Sequence, residues 1–116
     1  MGLFNKLLGR KQSANSQEAV LVHFDLGFKP NGDHFGFDDM VDLEDKLIAV
    51  IERHQAGELD GNEIGSTDGT IFTYGPDADR LFAAIEPVLR THPLCVGARV
   101  ALRKGGPGSP QTEVQL

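Results

Sequence analysis

Cysteine is almost missing from this chain of 116 residues, where Cys95 stands alone. One thiol forms no internal disulfide, which excludes a stapled secreted scaffold, and it excludes zinc sites built on two or more thiolates. No apolar run approaches the roughly 18 residues that a membrane span needs. The N-terminus has neither the apolar stretch nor the small-residue cleavage site of a secretory signal. Together these absences point to the cytoplasm. The glycines Gly105, Gly106 and Gly108 lack a following lysine–serine/threonine pair and helix, so they form no phosphate loop. Basic residues are outnumbered, with eleven Lys and Arg against seventeen Asp and Glu and a net charge of −6.

That imbalance is segregated. Residues 33–79 hold thirteen acids against Lys46 and Arg53, a net of −11. The flanks are mildly basic, +2 over residues 1–32 and +3 over residues 80–116. An acidic middle repels phosphate backbones, so nucleic acid is a disfavoured partner and a basic protein is accommodated more easily. The plainer account is a solvated acidic surface that keeps the domain soluble.

The length fits one domain. Residues 1–11 place Leu3, Phe4, Leu7 and Leu8 on one helical face with Lys6, Arg10 and Lys11 around it, a short basic amphipathic leader. Its expected behaviour is docking on its own domain or fraying, with weak membrane or partner contact as the alternative. Lys6 stands where a myristoylation motif places Ser or Thr. Residues 12–17 read as a linker, residues 18–104 as the folded domain, and the Gly/Pro-rich residues 105–116 as a flexible tail.

Within the domain, residues 19–26 alternate Val20, Val22, Phe24 and Leu26 against Leu21, His23 and Asp25, the period of a strand. A helix is expected from about Met40 to Gln55, capped by Asp38, Asp39 or Asp42 and closed by a left-handed Gly57. Residues 58–65 read as a weak strand. A tight Thr67-Asp68-Gly69 turn leads to a strand over residues 70–74. Asp77 caps a second helix striped by Leu81, Phe82, Ile85, Val88 and Leu89, which Pro87 should bend or end early. Residues 96–103 alternate as a last strand. This order predicts an α+β, ferredoxin-like βαββαβ sandwich: a four-stranded antiparallel sheet, order 4-1-3-2, with two helices on one face.

One stretch adds to that reading. The segment Asp60-Gly-Asn-Glu-Ile-Gly, a hairpin, and then IFTYGPDADRLFAAIEPVL resembles a group of small uncharacterised bacterial ferredoxin-like proteins. They share a DG-x-E strand and a YGPDAD turn into a helix. The likeness spans residues 57–90 and implies the same fold and a bacterial source. Its motifs are turns and caps, so it implies no activity and no functional residues.

Several clusters compete as sites. If the helices cover one side of the sheet, His23 and Asp25 face the other, next to Arg99 and Arg103. His23 would serve as general base and the arginines as anion holders, with Tyr74 nearby if its strand turns that way. Alternation does not settle whether Phe72 and Tyr74 or Ile71 and Thr73 face outward. The competing account is a solvated face with cross-strand charge pairs, or a dimer surface. Asp33, His34, Asp38 and Asp39 offer metal ligands, but Phe35 breaks the EF-hand spacing, and turn-and-cap chemistry explains them better. Asp77 and Asp79 would repel an anion from the second helix start. Cys95 reads as an apolar filler, and His54 and His92 as helix-end residues.

The first expectation is therefore a non-enzymatic module that binds a macromolecule, foremost a basic protein, through Glu58, Asp60 and Glu63. No cofactor or metal is expected, and a homodimer is open. The second is a small-ligand protein or enzyme on the open sheet face using His23, Asp25, Arg99 and Arg103. The third, an RNA binder stacking bases on Phe72 and Tyr74, is disfavoured by the negative charge.

Overall fold

A computed structural model describes residues 17–29 and 31–116. The leader expected over residues 1–11, and its linker up to residue 16, lie outside the described residues. The chain forms β1 (Glu18–Asp25), α1 (Phe37–His54), β2 (Glu58–Ile64), β3 (Asp68–Gly75), α2 (Ala78–Thr91), a 3-10 turn (Pro93–Cys95), β4 (Arg99–Arg103) and β5 (Gln111–Gln115). The fold is α+β, with one antiparallel sheet in the order β2-β3-β1-β4-β5.

The sheet has five strands rather than four, and the additional one comes from the segment expected to be a flexible tail. The Gly/Pro cluster before it is a hairpin loop: Gly105 and Gly108 take φ of 140° and 91°, which only glycine adopts without strain. The chain then returns along β4, pairing Val100 with Val114 and Leu102 with Thr112. Val114 packs against the core. Loop composition hid a strand whose apolar signal is a single valine.

Both helices lie on one face, because their stripes share a core with one set of strand residues. Met40, Leu43, Leu47 and Ile51 of α1 and Ala78, Leu81, Ile85 and Leu89 of α2 meet Val20, Val22, Phe24, Ile71, Val100 and Leu102. Ile71 and Thr73 point inward and are fully buried, so Phe72 and Tyr74 face out. The buried Thr73 is accommodated because its hydroxyl donates to the Val20 carbonyl at 2.7 Å. Val50 and Phe82 are only partly buried against it.

The structure shifts several local boundaries, among them the last strand, expected over residues 96–103, which begins at Arg99. α1 begins three residues early, at Phe37; Gly36 is its N-cap, and the Asp39 carboxylate accepts the Gly36 N–H at 2.7 Å. It ends on Gln55, which takes the left-handed conformation at φ 50°. Gly57 serves packing instead, since a Cβ there would strike the Tyr74 carbonyl and glycine lets the chain lie against β3. The β2–β3 turn precedes Asp68-Gly69, with the Gly65 N–H donating to the Asp68 carbonyl at 2.8 Å. Gly69 lies inside β3, where a Cβ would come within 2.9 Å of the Phe24 ring. Pro87 does not end α2, which continues to Thr91.

Candidate functional site

Strand register decides what shares the open face. Opposite His23 lie Thr70 on β3 and Arg99 on β4. His23 Nδ1 is 2.9 Å from the Thr70 hydroxyl. Asp25 lies two residues on, paired with Asp68. Arg103 and Tyr74 sit at the other end, flanking Ala19. The strand rise of about 3.3 Å per residue puts Arg103 roughly 13 Å from Arg99. The structure therefore brings His23 and Arg99 together and separates Arg103 and Tyr74 from them. Arg103 is also engaged locally, donating to the carbonyls of Gly105 at 2.9 Å and Gln17 at 3.0 Å. Burial, with Asp60 close by, raises the Tyr74 phenol above its ordinary value.

The acids of β2 divide by the same alternation. Glu58 and Glu63 lie opposite Tyr74 and Thr70, on the open-face side, and Asp60 occupies a bulge between Leu59 and Gly61. Leu59, Asn62 and Ile64 turn toward the helices. β2 is thus an edge strand whose two sides differ, acidic outward and apolar inward.

The residues of the 29–39 loop have other commitments. Asp39 caps α1 and pairs with Lys29 at 3.2 Å. Asp33 holds the Asn31 side chain, and the His34 ring lies 4.2 Å from that of Phe28. Among the described residues no group of three or more His, Cys, Asp or Glu is placed to hold a metal ion. Cys95 is buried, and that burial pushes its thiol up to about 12.

One concavity was not anticipated from the sequence. A groove of about 450 Å³ runs between the first turns of α1 and the inner side of β2, lined by Leu26, Phe35, Phe37, Met40, Val41 and Ile64 among others. Phe37 is 80% exposed, Ile64 46% and Val41 37%, although all three are large apolar residues. Glu44 also lines it and accepts from the Asn62 amide at 2.6 Å, an exposed hydrogen bond that links α1 to β2. Phe37, Val41 and Ile48 form a second apolar stripe on α1, beside the buried one. Along its outer margin run Asp38, Asp45 and Glu52, all exposed and seven residues apart. The groove is apolar at its base and acidic on its α1 rim, with the β2 acids beyond the opposite margin. A signal was present in the sequence: Phe35-Gly36-Phe37 in a polar loop, and Val41 off the stripe of Met40, Leu43, Leu47 and Ile51.

Among the described residues no helix is long and apolar enough to cross a membrane. Comparison with protein-family models, curated proteins and solved structures finds no match to this chain.

Proposed function

We infer that this chain is a cytoplasmic, non-enzymatic protein-binding module, a ferredoxin-like βαββαβ sandwich extended by β5. Its docking surface is the groove between α1 and β2, and its ligand is a basic, amphipathic helical segment. The observation that carries this reading is the exposure of Phe37, Val41 and Ile64 at the lip of one groove within the most acidic part of the chain. Exposed apolar side chains concentrated in a groove and rimmed by one charge are the pattern of helix-in-groove recognition, in which apolar anchors supply affinity and the rim supplies selectivity.

Glu58 and Glu63 face the open side of β2 rather than the groove, and with Asp60 they add to the negative field that a basic segment meets near it. The open face supports a catalytic reading less well, since Arg103 is spent on backbone carbonyls and His23 has the Thr70 hydroxyl as a partner. Nucleic acid is disfavoured although Phe72 and Tyr74 face outward, because Glu58 and Glu63 flank them.

The test uses two synthetic helical peptides with the same leucine stripe, one lysine-rich and one glutamate-rich, titrated calorimetrically against the full chain. The lysine peptide should bind and weaken with salt, and Val41→Asp should reduce its affinity at least about tenfold. Equal binding of both peptides, or indifference to Val41→Asp, would overturn the reading.

A further inference from the structure

Six large apolar side chains are exposed among the described residues. Phe37, Val41 and Ile64 line the α1–β2 groove, and Phe28 and Val96 line a second hollow of about 340 Å³. The two are neighbours. Phe35 walls both, and at the end of β1 Leu26 borders the groove while Asp25 and Gly27 border the hollow. The hollow differs from the groove in having a carboxylate, Asp25, beside an aromatic ring. We propose that it is a second anchor site of the docking surface and takes an arginine side chain of the same basic partner. The guanidinium lies against Phe28 and Asp25, and the alkyl stem rests on Val96. The proposal rests on the groove being a docking surface for basic amphipathic segments, and it adds which residue must flank the partner's apolar stripe.

Charge selects the occupant. Asp25 is exposed, and among the described residues its carboxylate has no hydrogen-bond or ion-pair partner. Asp68 stands directly opposite it across β1 and β3, also exposed, and like charges so placed repel. The nearest bases do not neutralise the pair. Lys29 is held by Asp39 at 3.2 Å, and Arg99, opposite His23 on β4, forms no ion pair among the described residues. Phe28 remains 68% exposed although the His34 ring lies 4.2 Å from it, and Val96 is 87% exposed. An aromatic face, an apolar wall and an unpaired carboxylate complement an arginine, whose planar guanidinium stacks on rings and forks onto carboxylates. A neutral apolar ligand would bury Asp25 without a partner, and a second copy of the chain would bring the same acids.

The experiment extends the lysine-rich helical peptide by glycine and arginine, at its N-terminus in one version and its C-terminus in another, to cover both directions along the groove. Each is compared with a twin carrying citrulline, which keeps the shape of arginine and removes its charge. Calorimetric titration of the full chain should show one arginine peptide binding at least about threefold more tightly than its twin. Asp25→Asn and Phe28→Ala, both at exposed positions, should each erase that ratio. Glu113→Gln, which removes an acid on β5 away from the hollow, should preserve it; loss there as well would show general charge attraction and overturn the proposal. If neither arginine peptide gains, or the gain survives Asp25→Asn and Phe28→Ala, while Val41→Asp still weakens binding, the second anchor is wrong and the docking surface stands. If no peptide binds in a Val41-dependent way, both fall.

Discussion

His92 Nε2 lies 2.9 Å from the Asp42 carboxylate, while its Nδ1 accepts the Leu94 N–H at 3.2 Å. A backbone N–H can only donate, so Nδ1 carries no proton and Nε2 must hold it. One neutral imidazole thereby caps the 3-10 turn and ties it to α1. A second proton on Nδ1 would face the Leu94 N–H and break the cap. The ring is buried, so removing it leaves both a cavity and an unpaired donor. His92→Ala should cost about 2 kcal/mol, whereas His92→Asn, which can still accept the Leu94 N–H, should lose about half of that. Urea unfolding of the two variants checks the ranking, and equal losses would show that the cap is not what matters.

Two aspartates predict how the fold meets acid. Asp39 is held below its ordinary 3.8 chiefly by the Gly36 N–H, with Lys29 assisting. Asp42 is held below it first by Lys46 and then by His92. A carboxyl with a lowered folded pKa contributes stability that is present above the unfolded value and lost as pH falls through the folded one. The loss should therefore begin near pH 3.8 and deepen below it. Asp39→Asn should be less stable than wild type at neutral pH and should flatten this acid limb. Urea midpoints measured across the acid range in both proteins decide it, and parallel curves would remove Asp39 from the account.

The order of the first four strands and the two buried helix stripes were legible in the sequence because periodicity reports burial directly. Val20, Val22, Phe24, Leu43, Leu47, Leu81 and Ile85 repeat at periods of two and 3.6 and all reach the core. The illegible parts share a physical reason: the residue does something other than its commonest job. Gly69 looks like a turn glycine next to Asp68, yet it makes room for the Phe24 ring. Gln55 holds a left-handed conformation usually taken by glycine. On the open face, alternation set His23 beside Arg99 correctly but could not show that the Arg103 guanidinium is spent on Gly105 and Gln17 carbonyls. The groove was illegible because Phe37 and Val41 lie outside the buried stripe, and periodicity marks only the apolar residues that a helix buries.

Gly57 and Gly75 predict where the chain resists substitution. A Cβ on Gly57 would meet the Tyr74 carbonyl, and one on Gly75 would meet the Ala56 carbonyl, so each glycine lets β3 approach the α1–β2 connection. Backbone cannot swing aside as a side chain can. Gly57 also takes φ 150°, which L side chains rarely adopt. Gly57→Ala should therefore cost more than about 2 kcal/mol. Gly69→Ala presses only on the Phe24 ring and the end of Ile64, which can yield, and should cost less. Thermal unfolding of the two alanine variants gives the order, and a milder effect at Gly57 than at Gly69 would contradict it.

The last strand predicts the consequence of trimming the chain. β5 buries part of Val114 against the core and pairs along the length of β4, with the Leu116 N–H donating to the Ala98 carbonyl at 2.9 Å. Ending the chain after Lys104 would remove that packing and turn β4 into an edge, exposing the ladder groups of Arg99–Arg103. Lost apolar burial of Val114 and Leu116 and the pairing together should lower Tm by at least about 5 °C. The newly bare edge should also promote association between copies, since Val100, Ala101 and Leu102 offer an uncharged template for pairing. Hydrogen exchange separates the two effects: Val100 and Leu102 amides should exchange faster in the dilute truncated monomer and recover protection as concentration rises. A truncated chain with unchanged Tm and unchanged exchange at β4 would mean that β5 contributes nothing to the sheet.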